Sequence, residues 1–157
     1  MKPVKLKDVI DYLEMADDNF KAYYSKKTGE ILSVSVEDLS IAEESGEDED
    51  FGEYPEWQGE SIKKAINIIE NWKDYIELPD RFEINEYGIM EDFCLSIRNE
   101  RIQNDIYYSI KGKGAFRRFR DRINHYGLEQ EWYSYRYNAL RKIAIDWCEG
   151  KGIIYFQ

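Results

Sequence analysis

The stretch NFKAYYSKKTGEILSVSV, residues 19–36, decides the fold class, because its apolar residues alternate with polar ones instead of recurring at helical spacing. Phe20, Ala22 and Tyr24 belong to the first alternating run, and ILSVSV forms the second. KKTGE between the two runs reads as a turn, in which Gly29 supplies the positive φ that such a turn needs. The sequence therefore predicts a β-hairpin near the N-terminus.

Helical spacing predominates in the rest of the chain. A first amphipathic helix is indicated by Leu6, Val9, Ile10 and Leu13, and further helices follow from Ser61 onward. Pro79 excludes a helix within YIELPDRFEIN, so the residues before it could add a third strand to the hairpin. The fold class predicted is a mostly helical α+β fold. One N-terminal β-hairpin, or a three-stranded sheet, packs with about five helices in a single domain over residues 1–157.

The formal net charge of −10 is unevenly distributed along the chain. Residues 1–60 contain 6 Lys and 17 Asp or Glu, a net charge of −11, and every arginine lies at or after Arg81. The acidic stretch over residues 43–59 is broken by Gly and Pro, which predicts a mobile, solvated loop between the hairpin region and the helical part. The alternative for this loop is an acidic mimic of nucleic acid acting through residues 43–56.

No motif in the chain indicates a catalytic chemistry or a cofactor. HExxH, GxSxG, phosphate-loop and dinucleotide-binding patterns are absent. His125 is the sole histidine and is expected near the end of a helix, where a dipole or capping role is common. The carboxylates Glu86, Glu91 and Asp92 lie close in sequence without metal-ligand spacing. We therefore expect no metal site and no cofactor, with a carboxylate-dependent metal hydrolase or nuclease as the alternative.

The compartment expected is the cytoplasm. Cys94 and Cys148 are far apart, form no CxxC pair and fall on apolar stripes of predicted helices, as thiols do when they act as small hydrophobes. The start MKPVKLKDVI lacks the apolar run of a secretory signal, and no apolar run approaches the length of a membrane span. No membrane association is therefore expected.

The stretch GKGAFRRFRDRI, residues 112–123, is the strongest candidate for a binding surface. A helix from Ala115 places Phe116, Phe119 and Ile123 on its buried stripe, and the arginines then point away from that stripe. Arg117 and Asp121 have the i,i+4 spacing of an ion pair. The candidate anion-binding or partner-binding residues are Lys111, Lys113, Arg117, Arg118, Arg120 and Arg122.

Three partners fit this basic helix. The uneven charge favours docking against the acidic N-terminal part of the same chain or of a second copy, with bidentate Arg–carboxylate pairs. Nucleic acid is less favoured, because the net charge of the whole chain repels it at long range. An acidic surface on another protein is the third. The function expected is accordingly that of a non-enzymatic binding protein, whose partner is a protein or a nucleic acid.

Five stretches, in this order, resemble a bacterial family known as uncharacterised protein family 0158. They are YYSKKTGEILSVS, PEWQ, LPDRFEINEYGIMEDFCLSI, GKGAFRRFRDRI and EWYSYRYNALRKIAIDWCE, and together they cover nearly the whole chain. The resemblance implies a small, soluble bacterial protein and implies no activity. Members often read HEY where this chain has Asn85, Glu86 and Tyr87, so a metal or base role for that histidine is not expected to be essential.

Overall fold

The structure is a computed structural model that describes residues 1–45 and 51–157. The chain divides into two compact units, and the single domain over residues 1–157 stays a prediction. Unit 1 comprises Met1–Glu83 and Ala144–Gln157, and unit 2 comprises Ile84–Ile143. The predicted class, a mostly helical α+β fold with a small N-terminal sheet, is confirmed.

Thirteen α-helices and β-strands and one short 3-10 helix, Trp72–Asp74, make up the described parts of the chain. Those within unit 1 are β1 (Val4–Lys5), α1 (Leu6–Glu14), β2 (Phe20–Ser25), β3 (Ile31–Ser35), α2 (Val36–Glu44), α3 (Glu56–Glu70), β4 (Tyr75–Glu77) and β5 (Tyr155–Phe156). Those within unit 2 are α5 (Glu86–Ser96), α6 (Glu100–Ser109) and α7 (Ala115–His125). The boundaries between the units fall inside α4 (Arg81–Ile84) and α8 (Glu129–Lys151).

The predicted hairpin and its third strand are both present. β2 pairs antiparallel with β3 on one side and with β4 on the other, with Tyr23 opposite Leu32 and Glu77. Gly29 in the connecting turn has φ of +78°, as predicted, and a Cβ there would lie 2.5 Å from the carbonyl oxygen of Pro3. A second, two-stranded sheet joins β1 to β5 in parallel. Its strands are two residues long, too short to leave a periodic signal in the sequence.

The three-stranded sheet of unit 1 is covered on one face by helices and on the other face around Tyr24. On one face Val34 packs with Leu39 and Ala42 of α2 and with apolar residues of α3. On the other face Tyr24 is fully buried, and its ring meets the ring of Trp147 edge-to-face at 6.3 Å. The indole of Trp147 also donates a hydrogen bond to the carbonyl oxygen of Glu77. Both edges of β2 and both faces near Tyr24 are therefore fixed by packing.

Aromatic rings form the centre of unit 2. Phe93 lies 5.3 Å from the ring centroids of both Trp132 and Tyr135, and 6.2 Å from that of Phe119, in edge-to-face geometries. Such pairs add about 0.5–1.5 kcal/mol each beyond the apolar area that they bury. Cys94 is also fully buried in this core. The rings hold α5, α7 and the first part of α8 in one core.

The acidic stretch predicted as a mobile loop, residues 43–59, falls partly on residues 46–50, which lie outside the described residues. Glu43 and Glu44 form the end of α2, and residues 56–59 form the first turn of α3. Its mobility and its alternative role as a nucleic-acid mimic stay predictions. No helix in the described parts of the chain is long and apolar enough to cross a membrane.

Candidate binding surface

The six basic residues singled out in the sequence lie on one supersecondary unit, α6, the loop 110–114 and α7, which we call the basic hairpin. The helix over GAFRRFRDRI is confirmed, beginning at Ala115 and ending at His125. One detail of its buried stripe is wrong. Ala115, Phe119 and Ile123 form the stripe at spacings of four, whereas Phe116 is 46% exposed. Phe116 therefore belongs to the surface and not to the core.

Arg118 is tied to the loop of the basic hairpin. Its Nε donates to the carbonyl oxygen of Ser109 at 2.6 Å, and its terminal nitrogens donate to those of Lys111, Lys113 and, at 3.4 Å, Gly112. A guanidinium group carries five N–H donors in a rigid fork, so one side chain can hold several carbonyls. Arg118 is thus a clamp on its own chain.

The position of this clamp follows from the way α6 ends. The last carbonyls of a helix lack partners within it and carry partial negative charge. Arg118 satisfies the carbonyl of Ser109, and the hydroxyl of Tyr87 donates to that of Ile110 at 2.9 Å. Gly114 gives the guanidinium room, since a Cβ there would lie 3.0 Å from a terminal nitrogen of Arg118. The two glycines of GKG therefore shape a turn around an internal arginine.

Arg122 is also engaged within the hairpin. Its Nε lies 3.8 Å from Oδ1 of Asp105, whose other carboxylate oxygen accepts a hydrogen bond from the hydroxyl of Tyr126. That hydrogen bond is the main cause of the raised pKa of Tyr126, while the positive charges of Arg122 and Arg101 act in the opposite direction. The pair is partly exposed, so it adds only a few tenths of a kcal/mol to about 1 kcal/mol of stability.

The remaining basic residues differ in how far they are engaged. The Nζ of Lys111 lies 3.9 Å from the ring centroid of Tyr107, and contact with Tyr107 is the main cause of the raised pKa of Lys111. Lys113, Arg117 and Arg120 are exposed. No ion pair joins Arg117 to Asp121 among the described residues. Lys113, Arg117 and Arg120 therefore present their charges to solvent, as Arg101 on α6 also does.

Aromatic side chains accompany these cations. Tyr108 on α6 is 71% exposed, and Phe116 lies in the first turn of α7 beside Arg117. Single exposed apolar side chains are common on protein surfaces, so the informative feature is that Phe116 stands directly beside cations. We call the exposed set on α7 and its leading loop, Lys113, Phe116, Arg117 and Arg120, the α7 surface. It offers cations for anionic groups and a ring face for stacking.

The division into units sharpens the separation of charge seen along the sequence. Unit 2 contains eleven basic and eight acidic side chains, a formal net charge of +3. Since the whole chain carries −10, unit 1 carries −13. The α7 surface therefore lies on the positively charged unit, although the protein as a whole is acidic.

The other groups weighed for chemistry have structural roles or stand alone. His125 is exposed at the end of α7, with its ring 4.9 Å from that of Tyr126. Glu86 accepts from Arg136 through both carboxylate oxygens, at 3.1 and 3.2 Å from its Nε. Asn85 caps α5 by accepting a hydrogen bond from the backbone N–H of Gly88. Among the described residues, no three His, Cys, Asp or Glu side chains gather in a metal-binding group.

A groove in unit 1 was missed at the level of sequence. It has a volume of about 410 Å³ and lies between the end of α1, the sheet and residues 77–82. Its rim carries three exposed apolar side chains, Met15, Phe20 and Phe82, of which Phe82 is 90% exposed. The one local signal was Phe82 itself, an aromatic residue between Arg81 and Glu83 and directly after Pro79 and Asp80.

The protein is thus a helix-rich α+β protein. One unit carries the basic hairpin, and the other unit is acidic and contains the sheets. The chain belongs to the uncharacterised protein family UPF0158, whose family model matches residues 56–156. The match includes the whole basic hairpin, whereas the β-hairpin at residues 20–35 lies outside it.

The chain is similar to a UPF0158 protein of Pseudomonas aeruginosa, with 26% identity over 88 residues. That alignment covers 55% of this chain and 58% of the relative, so the chain spans little more than half of the relative's length. No solved structure matches.

Proposed function

We propose that the protein acts by binding and that the α7 surface contacts single-stranded nucleic acid. The observation that carries the proposal is the pairing of exposed cations with exposed aromatic rings on one hairpin. Arg117 and Arg120 supply charge for phosphates, and Phe116 and Tyr108 supply faces on which bases can stack. Proteins that bind single strands combine these two elements, and stacking is worth about 1–3 kcal/mol per base.

The net charge of −10 opposes binding to nucleic acid, but salt limits the distance over which it acts. At physiological ionic strength the Debye length is about 8 Å, so the charges of unit 1 act mainly over short distances. The three exposed cations of the α7 surface, Lys113, Arg117 and Arg120, are few compared with those of strong nucleic-acid binders. We therefore expect weak binding that depends on salt and tolerates many sequences. An acidic protein surface is the other partner that the same cations fit.

The two cysteines bear on the compartment and on catalysis. A cytoplasmic location is supported by two free, buried cysteines, since thiols stay reduced there. Burial raises the pKa of both thiols to about 11, so neither resembles an activated nucleophile. A binding role without catalysis is the function we propose, and the metal-dependent hydrolase weighed from the sequence gains no support from the described residues.

Fluorescence anisotropy with a labelled single-stranded oligonucleotide tests this proposal. Reversing two charges in Arg117→Glu/Arg120→Glu should weaken binding by at least about tenfold, because two phosphate contacts become repulsive. The matched control is Lys63→Glu/Lys64→Glu on α3, which changes the net charge equally at an exposed site in unit 1. Equal losses in both variants would mean that only net charge matters, and the proposed surface would be wrong.

A second variant tests the aromatic contribution. Phe116→Ser should weaken binding to single strands by several-fold to about 100-fold, in line with the loss of one stacked base. It should affect double-stranded DNA much less, because paired bases are not free to stack on a side chain. An acidic protein partner would instead leave oligonucleotide binding undetectable even at low salt.

A further inference from the structure

The groove of unit 1 exposes a stretch of the sheet that has small side chains. Ala22 on β2 and Ser33 on β3 pair directly across the sheet and form its floor with small side chains. Two residues along the same face, Tyr24 is buried against Trp147. The groove is thus the end of a sheet face where the covering side chains stop, which leaves an apolar floor open to solvent.

The groove combines an apolar floor with an acidic rim. Four carboxylates, Asp17, Asp18, Glu77 and Asp80, line it with two cations, Lys21 and Arg81. Arg81 pairs with Asp18 at 3.4 Å, and Lys21 pairs with Glu77 at 3.6 Å. The carboxylates of Asp17 and Asp80 accept only from nearby backbone N–H groups. Among the described residues, no ion pair joins Asp17 or Asp80 to a cation, so two negative charges lie beside an apolar floor, and we call this site the acidic groove.

A ligand for the acidic groove must carry an apolar side chain flanked by cations. The chain itself carries such a surface, since Phe116 is exposed on α7 between Lys113 and Arg117. Charge complementarity of this kind steers encounters and fixes register, and arginine can bind a carboxylate through two hydrogen bonds. The acidic unit bears −13 and the unit with α7 bears +3, so the complementarity holds for whole surfaces as well as single residues.

We infer that the acidic groove of one protomer binds the α7 surface of a second copy. Phe116 of the second copy fills the apolar floor beneath Phe82, and its Arg117 and Arg120 pair with Asp17 and Asp80. The contact joins two different surfaces, so it is heterologous and each protomer offers one donor and one acceptor site. The α7 surface is shared with the proposed function, and nucleic acid therefore competes with self-association.

Sedimentation velocity over a wide concentration range at low salt measures this contact. The full-length protein should sediment faster as its concentration rises, and added salt should weaken the effect. Phe82→Ser should abolish self-association by removing the apolar rim, and the side chain is exposed enough that the fold should survive. Trp72→Ser is the matched control, because Trp72 is 68% exposed in the same unit and does not line the groove.

Mixing two inactive variants separates this contact from any symmetric one. Phe82→Ser keeps an intact α7 surface, and Arg117→Glu/Arg120→Glu keeps an intact groove. Each alone should be monomeric, whereas their equimolar mixture should form a heterodimer and stop there. Wild-type protein that stays monomeric, or a mixture that stays monomeric, would overturn the inference. So would self-association that survives Phe82→Ser.

The outcome is independent of the proposed function. Phe82→Ser should bind the oligonucleotide at least as well as the wild type, because the groove takes no part in that contact and no second copy then covers the α7 surface. Self-association without any oligonucleotide binding would overturn the proposed function and support this inference. Oligonucleotide binding by a protein that is monomeric at every concentration would do the reverse. If both hold, the oligonucleotide should dissociate the assembly.

Discussion

Replacing Arg118 with methionine tests whether this residue is a clamp rather than a binding residue. The change removes the hydrogen bonds that Arg118 donates to the carbonyls of Ser109, Lys111 and Lys113. Bonds from charged donors contribute about 1.5–3 kcal/mol each, but these carbonyls are near solvent and water can replace part of the loss. We expect a net destabilisation of about 2 kcal/mol in the basic hairpin.

Amide hydrogen exchange is the suitable assay, because it resolves stability along the chain and does not require both units to unfold together. A loss of about 2 kcal/mol should speed exchange roughly 30-fold at the amides of residues 109–118. Arg117→Met is the matched control, since methionine and arginine have similar helix propensity and Arg117 is exposed. It should change exchange by less than about threefold.

Similar amide exchange in Arg118→Met and Arg117→Met would contradict the role of Arg118 as a clamp. Equal, small effects would mean that solvent replaces all the bonds of Arg118 and that its side chain is available to a ligand. In that case Arg118→Met should also reduce oligonucleotide affinity as strongly as Arg117→Met does. Our account instead predicts that Arg118→Met acts mainly on loop order.

Three further predictions concern stability and reactivity. Gly29→Ala should destabilise the protein by at least about 1 kcal/mol in urea unfolding, because φ is +78° and the new Cβ meets backbone; Gly150→Ala, in open helical surroundings, should be neutral or stabilise by up to about 1 kcal/mol. Cys94 and Cys148 should react with a disulfide reagent at least about 100-fold more slowly in the native than in the unfolded protein, since both are fully buried; rapid native labelling would contradict their placement. Burial, with nearby carboxylates adding to it, raises the pKa of Tyr23 from 10.0 to about 12. The unfolded chain loses this proton near pH 10 and the folded chain keeps it longer, so stability is full below pH 10 and falls between pH 10 and 12. The fall should be shallower in Tyr23→Phe, and equal slopes in both proteins would refute this cause.

The elements with a regular apolar pattern could be predicted from the sequence. Alternation identified the hairpin around Tyr24, and helical spacing identified α1 with its buried residues Leu6, Val9, Ile10 and Leu13. The β1–β5 pair could not be foreseen, because two residues carry no period and their partners lie at opposite ends of the chain. Its pairing is decided by tertiary contacts.

The density of basic residues in the sequence located the candidate surface on α7. It could not predict the buried stripe of α7, the contacts of Arg118 or the acidic groove. Helical spacing predicts Phe116 on the buried stripe of α7, whereas the structure leaves Phe116 46% exposed. The structure buries Ala115 because the stripe continues through Phe119 and Ile123 at spacings of four. The clamp formed by Arg118 depends on where α6 ends in space, which no local pattern encodes. The acidic groove likewise depends on the sheet register that places Ala22 opposite Ser33.

The salt dependence of oligonucleotide binding reports how many phosphates the α7 surface contacts. For single strands the slope of log K against log salt is about −0.7 per phosphate contacted, so three exposed cations predict a slope of about −2. Affinity should then fall roughly 20-fold between 50 and 200 mM salt, and Arg117→Glu/Arg120→Glu should reduce the slope to about −0.7 or abolish binding. A slope near zero, a slope that the variant leaves unchanged, or no binding at low salt would contradict the claim that the α7 surface binds nucleic acid.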